Sequence, residues 1–350
     1  MTRAEPLTER EHLILDAVIR TYVETAEPAG SRTVTRRFNL GVSPATVRNT
    51  MSDLEEKGYL YHPHTSAGRV PTDLAYRLYV DQLLGQARLS PADRRSIRRE
   101  LAAASDRSAV EQLIRHAAQV LGLLTQELGL AIAPRLDEAV LERLELISIA
   151  QGNVLLVLAL RAGGVRTVYV DVPGEIPPST LQAVAQVLNE RLAGLTLSEI
   201  RSSLSSRLRD SAPADEPGAS ELLNIFLHSA EEWFSASPAE ESLLLGSAAA
   251  LVDQPEFHSG ERLRNLIALT ERRDLLRKML GERLGAQGLQ ITIGAEHGDP
   301  ALADFTLVTS EYRVRNLRGV IGVMGPTRMP YERVIAFVES TSALVSEFLD

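Results

Sequence analysis

The 350-residue chain has 46 acidic side chains against 37 Lys and Arg, a formal net charge of −9, and 44% hydrophobic residues. This length suggests two or three domains, and the apolar content supports packed cores over extended disorder. The absence of cysteine excludes disulfides, thiol nucleophiles and Cys-based metal sites, and fits a reducing compartment.

The opening MTRAEPLTERE has no apolar leader core. The longest apolar runs, Val154–Leu160 and Leu243–Val252, fall short of a bilayer span. A soluble, cytoplasmic protein with no membrane contact is expected. Residues 7–26 place Leu15, Val18, Ile19, Tyr22 and Val23 on one apolar helical face. A helix is then expected from Ser31, its hydroxyl serving as cap, to about Phe38. A turn at Asn39–Val42 follows, with Gly41 free to take positive φ. A second helix starts with Ser43 as N-cap and Pro44 in the first helical position, and ends at Gly58. Within it Val47, Met51 and Leu54 form one inward stripe, while Ala45, Thr46, Arg48, Asn49 and Ser52 form the opposite face. Tyr59–His62 and Arg69-Val70 read as two short strands around a Pro63–Gly68 turn. Three helices with such a ribbon make a winged helix-turn-helix, and a helix over residues 72–85 closes it.

The acidic net charge argues against nucleic acid only until it is localised. Between Pro28 and Thr72 there are six basic residues against three acidic ones, and Asp53, Glu55 and Glu56 crowd the far end of the second helix. Residues 86–108 read as a charged linker helix, and Ala109–Leu128 as an amphipathic helix. Leu141–Ala150, Val154–Leu160 and Val165–Val172 are apolar runs separated by turn signals at Gln151-Gly152-Asn153 and Ala162-Gly163-Gly164, an antiparallel meander. Helices follow at Ser179–Leu192, Leu197–Leu208 and Glu221–Phe234, the last two separated by the acidic loop DSAPADEPGAS. A short strand within Ser242–Leu251 and a long helix over Glu261–Leu284 come next. Strands return at Leu289–Gly294, Asp304–Ser310 and Gly319–Met324, before a final helix over Tyr331–Leu349. This order describes a multidomain α+β chain in which one α+β domain is interrupted by a mostly helical insertion.

Arg48 and Asn49 lead the candidates for base contact, since Arg pairs with guanine and Asn with adenine in a major groove. Ser31, Arg32, Ser43 and Thr46 sit at helix N-termini suited to phosphate oxygens, although Ser31 and Ser43 would be wanted as caps in any case. His64, Thr65, Ser66 and Arg69 occupy the hairpin tip, with Arg69 favoured for backbone or minor-groove contact. His62 and His64 lack a carboxylate or Cys at ligand spacing, which argues against metal. Gly319, Gly322 and Gly325 match neither a P-loop nor the dinucleotide fingerprint, and read as packing glycines. Arg328 is a candidate anchor across a domain contact. Leu222, Ile225, Phe226, Trp233 and Phe234 form an apolar helix face suited to a core or, more sharply, to a dimer interface. No catalytic motif of the hydrolase, metalloprotease or nucleotide-binding kinds is present, so no enzyme and no cofactor are expected.

Two blocks carry a family resemblance. GSRTVTRRFNLGVSPATVRNTMSDLEEKGYLYHPHTSAGRVPTDLAYRLYV, together with ITIGAEHG, FTLVTSEY and GVIGVMGPTRMPYERVIAFV, resembles the HrcA family of bacterial heat-inducible transcription repressors. The resemblance implies a winged-helix domain over residues 1–85, a linker helix over 86–108, a GAF-like domain over 109–176 and 286–350, and a dimerising insertion over 177–285. It further implies a homodimer on an inverted-repeat operator upstream of chaperone operons, kept active by the GroEL chaperonin. The family usually has Asn where His297 stands. A second reading makes the GAF-like domain a small-molecule sensor that governs DNA binding.

Overall fold

The computed structural model describes residues 6–64, 67–84, 87–105, 110–134, 138–150, 152–161, 165–209, 218–234, 243–286, 288–314 and 317–349. Helix α1 (Glu9–Thr25) opens with a capping box: the Thr8 hydroxyl accepts the Glu11 N–H, and the Glu11 carboxylate accepts the Thr8 N–H. Its expected stripe is its buried face, with Leu15, Val18 and Ile19 buried and Tyr22 and Val23 half-buried. Helices α2 (Ser31–Arg37) and α3 (Pro44–Glu56) pack on it through Val34, Val47, Met51 and Leu54. Strands β1 (Leu60–Tyr61) and β2 (Val70–Pro71) pair antiparallel, and an Ala29–Arg69 bridge extends the ribbon back towards α2. Helix α4 (Asp73–Leu83), capped by the Thr72 hydroxyl, follows.

The expected linker helix forms as α5 (Pro91–Ser105), but it does not span open space. Ile97 and Leu101 are fully buried, because the helix packs on α6 (Val110–Thr125) and on the last helix, α13 (Tyr331–Leu349). Strand β3 (Leu128–Ile132) then enters a five-stranded sheet. The chain leaves this sheet to form β4 (Leu141–Ala150), β5 (Asn153–Leu160) and β6 (Val165–Asp171), the expected meander. Helices α7 (Pro178–Leu192), α8 (Leu197–Leu208) and α9 (Ala219–Phe234) accompany it. The chain rejoins the first sheet at β7 (Leu243–Leu245), which pairs with β3. After α10 (Ala249–Val252), α11 (Gly260–Glu271) and α12 (Arg273–Gly281) come β8 (Leu289–Ile293), β9 (Phe305–Val314) and β10 (Leu317–Pro326). The five-stranded order is β7-β3-β10-β9-β8, antiparallel throughout, and the meander is a separate three-stranded sheet.

Alternation along the strands explains the layering. Leu130, Leu307, Val320 and Met324 face a core shared with Leu266, Leu269, Leu276 and Leu280 of α11 and α12, while Ala131, Val308, Ile321 and Val323 belong to the larger core on the other face. Both faces are covered, which is why β10 is buried almost throughout.

The meander forms a sheet of its own, and within residues 243–285 strand β7 pairs with β3 of the five-stranded sheet. The excursion runs between β3 and β7, because a meander alternates in the same way whether it extends one sheet or starts another. The long helix over Glu261–Leu284 is two helices broken at Arg272, whose ψ of 59° departs from helical geometry. That turn aims the Arg273 guanidinium at the Leu243 carbonyl, 3.1 Å away. The Ala162–Gly164 turn and most of the acidic loop DSAPADEPGAS lie outside the described residues.

Two clasps hold the N-terminal helices to the sheet body. Arg77 donates to both Glu296 oxygens, at 2.7 and 2.5 Å, and to the Ile291 carbonyl, while Asp73 accepts the Ala295 N–H at 2.9 Å. Arg328 pairs with Glu256 and donates to the Val23 carbonyl near the end of α1.

Candidate nucleic-acid interface

Helix α3 is built by local signals. Ser43 has extended backbone angles, and its hydroxyl accepts the Thr46 N–H at 3.1 Å, while Pro44 occupies the first turn at no hydrogen-bond cost. Gly41 takes a φ of 66° in the turn between α2 and α3, the left-handed conformation for which glycine is suited. With Val47, Met51 and Leu54 fixed inward, the opposite face is set by helical geometry.

That face exposes Arg48 and Asn49 side by side in the N-terminal half of α3. Neither has a hydrogen-bond or ionic partner among the described residues. On α2, Arg32 and Arg36 are also exposed without such partners, whereas Arg37 pairs with Glu24. The exposed surfaces of α2 and α3 thus carry three guanidinium groups and one amide without partners among the described residues, with Asp53 and Glu56 at the far end of α3. Ser43 and Thr46 are taken up with each other, their hydroxyls 3.0 Å apart.

Ser31 does not act as expected. The helix N-cap is Gly30, with no side-chain cap, and Ser31 is the buried first residue of α2. Its side chain faces the interior because α2 begins one residue earlier than a Ser cap requires. Arg69 also turns inward. It is 9% exposed, and its Nη2 donates to Glu55 at 2.7 Å and to the Ser52 hydroxyl at 3.5 Å. The same Glu55 engages His62 Nδ1 at 2.8 Å. Glu55 therefore fastens both ribbon strands to α3, a role that sequence reasoning missed. His64 is exposed beside the tip. Thr65 and Ser66 lie outside the described residues.

A second tie joins α1 to the end of α3. Lys57 Nζ donates to Glu11 at 2.8 Å. This contact, aided by the Thr8 N–H, holds the Glu11 carboxyl down at about 2.

A family model described as the HrcA protein C terminal domain matches residues 111–335. The heat-inducible transcription repressor HrcA of Chlorobium phaeobacteroides is 38% identical over 352 residues, covering 98% of each chain. The chain belongs to the HrcA family. The HrcA repressor of Geobacter sulfurreducens is 37% identical over 345 residues, again covering 98% of each chain. A crystal structure of a hypothetical protein superposes with a TM-score of 0.64 at 23% identity, covering 98% of this chain and 99% of that one, a likeness of fold. The HrcA model spans both sheets, so the excursion between β3 and β7 is part of the family's C-terminal region.

Proposed function

We propose that the chain is a transcription repressor that reads an inverted-repeat operator as a homodimer, with α3 as its recognition helix. The observation that carries this is the exposed pair Arg48 and Asn49, without partners among the described residues, on a helix whose other face is locked into a core. Arg32 and Arg36 would then meet backbone phosphates, with β1 and β2 as the wing and the five-stranded body as a GAF-like domain. The repressor names of the HrcA relatives support the same reading.

A twofold operator calls for a twofold protein. The apolar face of α9 is unsuited to that role, since Leu222, Phe226, Trp233 and Phe234 are buried and Phe226 meets Trp233 edge-on at 5.0 Å. The three-stranded sheet offers a better surface. Ile147, Leu155 and Tyr169 align across its strands, with Val165 nearby, and Ile147, Val165 and Tyr169 are exposed. The family resemblance adds chaperone operons as targets and the GroEL chaperonin as the partner that keeps the repressor active.

Sequencing the DNA fragments that the protein selects from a random pool tests the reading directly, and an inverted repeat is expected. On that sequence Arg48→Ala should weaken binding by about 1–3 kcal/mol and relax preference at one base position. Anisotropy titrations at fixed salt measure this, and unchanged affinity would remove α3 from the reading role.

A further inference from the structure

A cavity of about 360 Å³ lies between the N-terminal helices and the sheet body. This volume falls at the low end of small-ligand sites, which span roughly 300–1,000 Å³. One wall comes from α1 and α4 through Tyr22 and Tyr76. The facing wall includes Phe257, Arg262 and Asn265, with Asp304 from the start of β9.

Tyr22 and Tyr76 give the first wall an aromatic surface, and Tyr76 is 2% exposed. Arg262 and Asn265 are exposed one turn apart on α11, and the Asp304 carboxylate is exposed across from α4. None of these three side chains has a partner among the described residues. Among the described residues the cavity therefore offers one unpaired cation with an amide beside it, one unpaired carboxylate and an aromatic wall.

These features narrow the occupant. A simple anion would face the carboxylates of Asp73, Glu256 and Asp304. A purely apolar molecule would desolvate Arg262 and Asp304 without pairing either. We propose that the cavity binds a small zwitterion of the amino-acid class. Its carboxylate meets Arg262 and Asn265, and its ammonium meets Asp304. Such an occupant touches both the N-terminal helices and the sheet body, so its affinity differs between arrangements of the two. Binding here is independent of whether α3 reads DNA, and it is measured without DNA.

Thermal unfolding of the full chain with each of the twenty free L-amino acids at about 5 mM provides the test. At least one should raise the unfolding temperature in a saturable manner. Its N-acetyl and methyl-ester derivatives, each lacking one charge, should bind at least about tenfold more weakly by titration calorimetry. Arg262→Ala and Asp304→Asn alter exposed side chains and should lose affinity to the same extent, with the unliganded unfolding temperature unchanged. Absence of any stabilising amino acid overturns the proposal, as does stabilisation that persists unchanged in both rim variants.

Discussion

Glu55 accepts from Arg69 at 2.7 Å and engages His62 at 2.8 Å, so one carboxylate holds both strands of the ribbon against α3. The partners differ in burial: the Arg69 side chain is 11% exposed and that of Glu55 is 31%. Removing Glu55 strands a nearly buried guanidinium whose remaining hydrogen bond, to Ser52, is long and whose Nε already lacks a partner. Removing Arg69 leaves a carboxylate that water reaches and His62 still engages. Breaking a buried pair from one side costs about 3–5 kcal/mol, whereas exposed pairs are worth about 0–1 kcal/mol. At this intermediate burial, Glu55→Ala should cost about 2 kcal/mol and Arg69→Met about 1 kcal/mol.

Global melting of a multidomain chain does not report this cost cleanly, so the readout should be local. The Ala29 and Arg69 amides pair with each other's carbonyls at 2.8 and 3.0 Å and open when the ribbon detaches. Native-state hydrogen exchange at these amides should accelerate about 30-fold in Glu55→Ala and about fivefold in Arg69→Met. Amides of β9 and β10 should not change. Equal acceleration in the two variants, or the reverse order, would show that Arg69 is solvated and refute the burial argument.

Gly322→Ala places a Cβ 2.1 Å from the Val308 carbonyl oxygen of the adjacent strand. It should destabilise the sheet by at least about 3 kcal/mol, seen as lost soluble yield or a lower melting temperature by circular dichroism. Lys57 and Thr8 hold the Glu11 carboxyl at about 2, down from 4.5. A depressed carboxylate stabilises above its unfolded value, so this contribution is present above pH 4.5 and fades as pH falls towards 2. Glu11→Gln should therefore cost about 2 kcal/mol near neutrality in urea unfolding, with the difference vanishing in acid. Burial pushes the Glu127 carboxyl well above its ordinary range. The folded state then loses stability as pH rises past the ordinary carboxylate value, so Glu127→Gln should raise the melting temperature near pH 8 and change it little near pH 4.

The local elements were legible because their signals are local. Ser43-Pro44, Gly41 and the Val47, Met51, Leu54 stripe each act within one or two turns, and α3 forms as they require. The residues that disappointed depend on distant partners. Arg69 looks like a free wing-tip cation, yet its fate is set by Glu55, fourteen residues earlier, and by a ribbon that folds the two together. Trp233 and Phe234 form an apolar face whether their neighbour is this chain or another, and only packing against α7 and α8 decides it. The seam of the excursion was invisible for a related reason. Strand β7 is three residues long and finds its partner, β3, more than a hundred residues back.

The C-terminal block shows what a distinctive sequence can mean without a ligand. The spacing of Gly319, Gly322 and Gly325 makes no phosphate loop: in an extended strand it places the outer two on one face and the middle one on the other. Each clears a different neighbour. A Cβ at Gly319 would strike the Tyr312 ring, one at Gly322 the Val308 carbonyl, and one at Gly325 the Glu127 carboxyl. Tyr312 supplies the reason for the first. It stands opposite Gly319 in the strand pairing, and its hydroxyl reaches across β10 to the Ile132 carbonyl of β3, 2.8 Å away. A side chain at 319 would block that path and break a buried hydrogen bond linking β9 to β3 over the strand between them. The chain leaves the sheet after Pro326, and Arg328, three residues beyond Gly325, crosses to the Val23 carbonyl on α1. The same short run thus lets the central strands pack and ties their end to the helix on which α3 rests. A block far from α3 in sequence thereby helps fix where the Arg48 and Asn49 face is presented.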